Sequence, residues 1–155
     1  MIEKHIKVGE IIGYRCWEVV QSISHEEPIS HFRVQYYVNE SRMQYIWLRS
    51  FVSINTIWKP KIPISCCDEH SSWFWGVHAF KDPKFLVRYL LKMHTHYIVV
   101  AIGTVKLWGT VIEHEKGWRG EFGAIRSIDQ VSCYNPQLLE TLRKKYDVKE
   151  MENVE

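Results

Sequence analysis

The sequence predicts an α+β fold: a curved, mostly antiparallel β-sheet or partly open barrel carrying two helices. Three observations predict it. Runs rich in aromatic and β-branched residues recur along the chain, separated by turn chemistry. Two Asx-Pro pairs, Asp82-Pro83 and Asn135-Pro136, each precede apolar residues at helical spacing. Glycines at 103, 120 and 123 interrupt strand-like runs, as they do where a sheet bends or bulges.

The elements follow in order. Val8 to Ile12 is an apolar approach to a first strand over 13–20, Gly-Tyr-Arg-Cys-Trp-Glu-Val-Val. Residues 22–30 contain Pro28 and read as a loop. A second strand over 31–38 puts Phe32, Val34 and Tyr36 on one face, and an extended pattern resumes from Met43 to Trp47 after the turn residues Asn39-Glu40-Ser41. Residues 48–58 mix spacings, and Lys59-Pro60-Lys61-Ile62-Pro63 is an extended connection. A helix is predicted from about 83 to 92, with Phe85, Leu86, Tyr89 and Leu90 as its apolar positions. The run 97–105 is almost continuously apolar and predicts a strand covered on both sides. Glu113 to Gly117 is a charged turn, and 118–125 returns as a strand. A last helix begins after Asn135, with Leu138, Leu139 and Leu142 as its stripe and Tyr146 at its end. Residues 1–149 are expected to form a single globular domain, and 150–155 a flexible tail.

Bulk properties narrow the function classes. With 155 residues the chain is long enough to bury a core without staples. Its formal charge of +2, from 20 basic and 18 acidic side chains, argues against strong nonspecific phosphate-backbone binding but leaves room for a local basic patch. No apolar run reaches the roughly 20 residues of a membrane helix, so no membrane partner is expected. The first residues lack a secretory apolar core, which makes a cytoplasmic location the default expectation, with Cys16, Cys66, Cys67 and Cys133 as reduced thiols.

Between Trp75 and Phe122 stand three short motifs: Gly76-Val77-His78-Ala79-Phe80, then residues 103–111 (GTVKLWGTV), then residues 113–121 (EHEKGWRGE). Together they resemble a loosely defined group of uncharacterised bacterial and phage-associated proteins, over about a third of the chain. The resemblance implies a shared scaffold rather than a reaction, since a fold alone does not specify chemistry. In that group the segment before the first motif can hold more widely separated Cys and His residues. Here it reads Cys66-Cys67-Asp68-Glu69-His70, without a second paired cysteine.

Several side chains are candidates for a site. Cys66, Cys67 and His70 have zinc-ligand chemistry, but adjacent cysteines fit a closed tetrahedral site poorly. The simpler alternative is a proline-bounded loop with two thiols and surface histidines; no cofactor is expected, with zinc kept as the minor alternative. Glu113, His114, Glu115, Arg119 and Glu121 form the most polar local group. A histidine and a carboxylate there could do acid–base work, while the plain alternative is a charged hairpin with Arg119 paired to Glu113 or Glu115. Seven tryptophans are many for this length, and Trp73, Trp75, His78, Trp108 and Trp118 could line an aromatic slot. Their ordinary use is core packing.

Phosphate-loop, dinucleotide and His-Glu-x-x-His motifs are absent. The sequence therefore suggests a small intracellular binding or regulatory module. Its ligand, a nucleobase, nucleic acid or protein, would sit between the 73–80 loop and the 113–121 hairpin. The rival is a small hydrolase or transferase that uses His114 with a carboxylate, or a Cys–His pair.

Overall fold

The computed structural model describes residues 4–6, 10–22, 31–33, 43, 45–51, 56–66, 76–93, 98–133 and 135–149. These residues form nine strands and two helices: β1 Lys4–Ile6, β2 Ile11–Ser22, β3 His31–Arg33, β4 Ile46–Arg49, β5 Ile57–Trp58, β6 Ile64–Ser65, β7 Val77–Phe80, α1 Pro83–Lys92, β8 Val100–Glu113, β9 Gly117–Val131 and α2 Pro136–Tyr146. This is the α+β class that the sequence predicts. The expected tail from 150 onward lies outside the described residues.

The long β8–β9 hairpin is the spine. β2 runs antiparallel along the first half of β8, from Ile11 opposite Leu107 to Glu18 opposite Val100. β7 pairs with the start of β9, and β2 carries β4 and β5 outward on its other side. β7 also touches β2 through one pair, Tyr14 opposite Phe80. Four strands therefore curl round towards each other and meet at a single residue pair, so the sheet stops just short of a barrel.

Register shifts between β8 and β9 produce the curl. At one of them Gly109 takes a left-handed φ of 78°, which glycine adopts without a steric penalty. Glu121 fastens this bulge by accepting a hydrogen bond from the Thr110 N–H at 3.2 Å.

Alternation along the strands divides the side chains between two clusters. On the concave side, Trp17, Val19, Leu48, Trp58, Val77, Ala79, Val105 and Leu107 pack with Leu138, Leu142 and Tyr146 of α2. On the convex side, Cys16 and Val100 pack with Leu86 of α1, flanked by Tyr14, Phe80 and Tyr89. Both helices begin as the sequence predicts. Asp82 accepts a hydrogen bond from Lys84 N–H and Asn135 one from Leu138 N–H, with proline at the first helical position of each.

Two sequence expectations change. Residues 77–80, expected in a loop, form a strand whose burial alternates in step with its pleat. β9 continues six residues past Ile125, to Val131, where the sequence turns polar. The edge of that extension is occupied: Arg143 Nε donates to Ile128 O at 2.8 Å and Ile128 N–H donates to Lys149 O at 3.0 Å. Pairing with β8 on one edge, and contacts from Arg143 of α2 and from Lys149 on the other, hold it as a strand where local composition does not.

Candidate functional site

The β7–β9 pairing brings two of the three motifs together. Val77, His78, Ala79 and Phe80 lie opposite Gly120, Arg119, Trp118 and Gly117, and β8 lies on the other side of β9, with Glu113 opposite Trp118 and Ile112 opposite Arg119. The turn between β8 and β9 is closed by His114 N–H donating to Gly117 O at 2.8 Å. It is tied to the start of α1 by Lys81 N–H donating to Lys116 O at 3.0 Å.

Because side chains alternate, the expected site residues divide between the two faces. Trp118 follows the register of Ala79 and leans against the concave core, half-buried. Glu113 shares its face and binds Lys81, Nζ to Oε2 2.7 Å, while the Lys81 ammonium lies 4.8 Å from the centre of the Trp118 ring. His78 and Arg119 are direct cross-strand neighbours on the opposite face. The hairpin register thus sets Glu113 and Arg119 back to back.

Behind His78 stands a residue that sequence reasoning passed over. Arg15 of β2 is 9% exposed; its Nη1 donates to His78 O and its Nη2 to Ser50 Oγ, both at 2.9 Å. Its guanidinium lies 4.7 Å from the Trp58 ring centre, and Trp58 Nε1 donates to the same Ser50 Oγ at 2.8 Å. The signal was a charged residue on the same strand face as Gly13 and Trp17. Burial, then the charges of Arg15, Arg119 and His114, push the His78 imidazole down to about 4. His78 is therefore neutral at pH 7, among three basic side chains drawn from β2, β9 and the β8–β9 turn.

Trp108 and Phe122 lie opposite one another at the bulge and stack, ring centres 5.9 Å apart and planes 26° apart. Both are half-buried, and neither belongs to the two core clusters. Glu121 is the bulge fastener described above, and its carbonyl also accepts from Cys66 N–H at 2.8 Å. Trp73 and Trp75, and Cys67 and His70 of the suggested metal set, lie outside the described residues. Among the described residues, no group of three or more His, Cys, Asp or Glu side chains is arranged to hold a metal ion.

Two of the described thiols are the reverse of activated: burial pushes Cys16 up to about 12 and raises Cys133 as well. Cys16, Cys66 and Cys133 are not joined in disulfides. Among the described residues no helix is long and apolar enough to cross a membrane.

Fold and site together define a small α+β domain with a strongly curved antiparallel sheet. No family model matches the chain, and comparison with curated proteins and with solved structures gives no match.

Proposed function

We propose that the protein is a small binding module for an anionic, planar ligand of the nucleotide kind, free or within a nucleic acid. Its contact surface is the face of β7 and β9 that carries His78 and Arg119, with His114 at its end. One observation carries the reading: on this face Arg119 stands directly across from His78, with Arg15 beneath the strand, and burial followed by the charges of Arg15, Arg119 and His114 keeps the imidazole neutral. Such a place favours negative charge, and a neutral imidazole there adds a donor or acceptor without adding charge. The stacked Trp108–Phe122 pair is reached about 10 Å further along β9, three residues from Arg119, and supplies the aromatic part.

A catalytic reading has less support. The Glu113 carboxylate is engaged by Lys81, and the buried Cys16 thiol is the reverse of an activated nucleophile.

The test is titration of tryptophan fluorescence with adenosine monophosphate and with a mixed-sequence single-stranded oligonucleotide. Saturable binding to either is expected, weakened about tenfold or more in Arg119→Ala, the loss of one charged hydrogen bond. No saturable response to either probe, or equal affinity in the variant, overturns the reading.

A further inference from the structure

The convex face of α1 has no part in the site described above. On this helix, Leu86 is buried and Phe85, Tyr89 and Leu90 are partly buried. The residues turned outward form two parallel rows at i, i+4 spacing. One row is apolar, Val87 (52% exposed) and Leu91 (72% exposed), with Met93 (45% exposed) just beyond the helix end. The other is basic: Lys84, Arg88 and Lys92, all exposed. Lys116 of the β8–β9 turn joins the basic row from outside the helix, its ammonium 5.9 Å from the Phe85 ring centre. None of these four cations makes an ion pair with a described residue, and α1 contains no acidic side chain.

We propose that this face rests reversibly on an anionic lipid surface. The basic row would sit among acidic headgroups, with long arms that let the ammonium and guanidinium groups stay at headgroup level. Val87, Leu91 and Met93 would enter the boundary of the acyl chains. Neither row alone explains the other: a phosphate track has no use for an exposed leucine, and a plain apolar contact has no use for four uncompensated cations. A second copy of the chain fits badly, because symmetric pairing would set Lys84, Arg88 and Lys92 against the same three cations. A protein partner fits less well than lipid, because valine, leucine and lysine are poorly represented at the energetic centres of protein interfaces. The ridge is also convex, and a fluid surface conforms to it. Contact of this kind needs no spanning helix.

Sedimentation of the intact protein with lipid vesicles tests it. The wild type is expected to partition onto mixed phosphatidylcholine–phosphatidylglycerol vesicles, to stay free with phosphatidylcholine alone, and to be released by salt. Arg88→Glu is expected to reduce partitioning about tenfold or more, since each cation near such a surface contributes about fivefold. Leu91→Gln is expected to reduce it severalfold with the charges intact. Both positions are exposed, so circular dichroism should show both variants folded. The proposal is overturned if the wild type ignores phosphatidylglycerol, or if both variants partition as the wild type does. It is equally overturned if sedimentation velocity reveals a dimer abolished by Leu91→Gln, which makes the face a self-interface. Binding of a single-stranded oligonucleotide that Arg88→Glu removes and Leu91→Gln leaves intact would make the basic row a phosphate track and overturn it too.

Discussion

The Tyr146 hydroxyl, at the last residue of α2, donates a hydrogen bond to the Trp58 carbonyl at 2.5 Å and accepts one from Leu48 N–H at 2.8 Å. One side chain thus joins the end of a late helix to β5 and β4, in the middle of the concave core. Tyr146→Phe keeps the ring and removes both bonds, leaving a buried N–H and a buried carbonyl each short of a partner. A loss of about 1–3 kcal/mol is expected, read as a lower urea midpoint with an unchanged slope. A midpoint equal to the wild type would show that Tyr146 acts only through its ring.

Glu18 and Arg49 are direct cross-strand partners on β2 and β4, and their side chains form an ion pair at 2.5 Å with Glu18 almost fully buried. Burying two charges is costly, but removing one of them takes from the other its opposite charge. Glu18→Leu and Arg49→Met are each expected to cost about 3–5 kcal/mol, and the double variant much less than their sum. A denaturation cycle over the four proteins measures the difference. Simple additivity would mean that the two charges are held by other neighbours and not by each other.

Gly103 sits where β2, β8 and β9 crowd together, opposite Arg15 on one side and Ile128 on the other. A Cβ added there would lie 2.0 Å from the Ser127 carbonyl oxygen and 2.9 Å from its carbon. These are backbone atoms and do not swing aside. Gly103→Ala is expected to force β8 and β9 apart and to cost about 3 kcal/mol. It should also open the 2.6 Å contact between the Thr104 and Ser127 hydroxyls. Thermal unfolding and amide exchange at 104 and 127 check both parts; a variant with wild-type stability would show that the hairpin tolerates a wider spacing.

What the sequence revealed was what local chemistry decides. Asp82-Pro83 and Asn135-Pro136 announced both helices, because cap and proline act within one turn. Gly103 announced close strand approach for the same reason. The second half of β9 was silent: Arg126, Ser127, Asp129 and Gln130 are polar, and pairing with β8, together with contacts from Arg143 and Lys149, holds them extended. The candidate site was legible only as a set of residues, without their arrangement. That His78 faces Arg119, that Glu113 turns the other way to Lys81, and that Arg15 lies behind His78 all follow from the pairing of β7 with β9 and β2, which no local pattern encodes. The arginine looked like an ordinary strand charge because its partners, Ser50 just after β4 and the His78 carbonyl of β7, are distant in sequence.

The buried imidazole of His78 makes stability depend on pH in a definite direction. Its value falls from 6.5 in the unfolded chain to about 4 in the fold, through burial first and then the charges of Arg15, Arg119 and His114. Between these two values the unfolded chain binds the extra proton, so stability rises with pH across the window. The contribution is complete above pH 6.5 and disappears as pH falls through 6.5 towards 4, a change of order 3 kcal/mol at most. His78→Gln removes the titrating group and should flatten that part of the profile. Urea denaturation at several pH values between 4.5 and 7.5 separates the two proteins. If the wild type keeps constant stability across the window, or if the variant keeps the full slope, then His78 is not the group that titrates. The electrostatic description of the β7–β9 face would then fail with it.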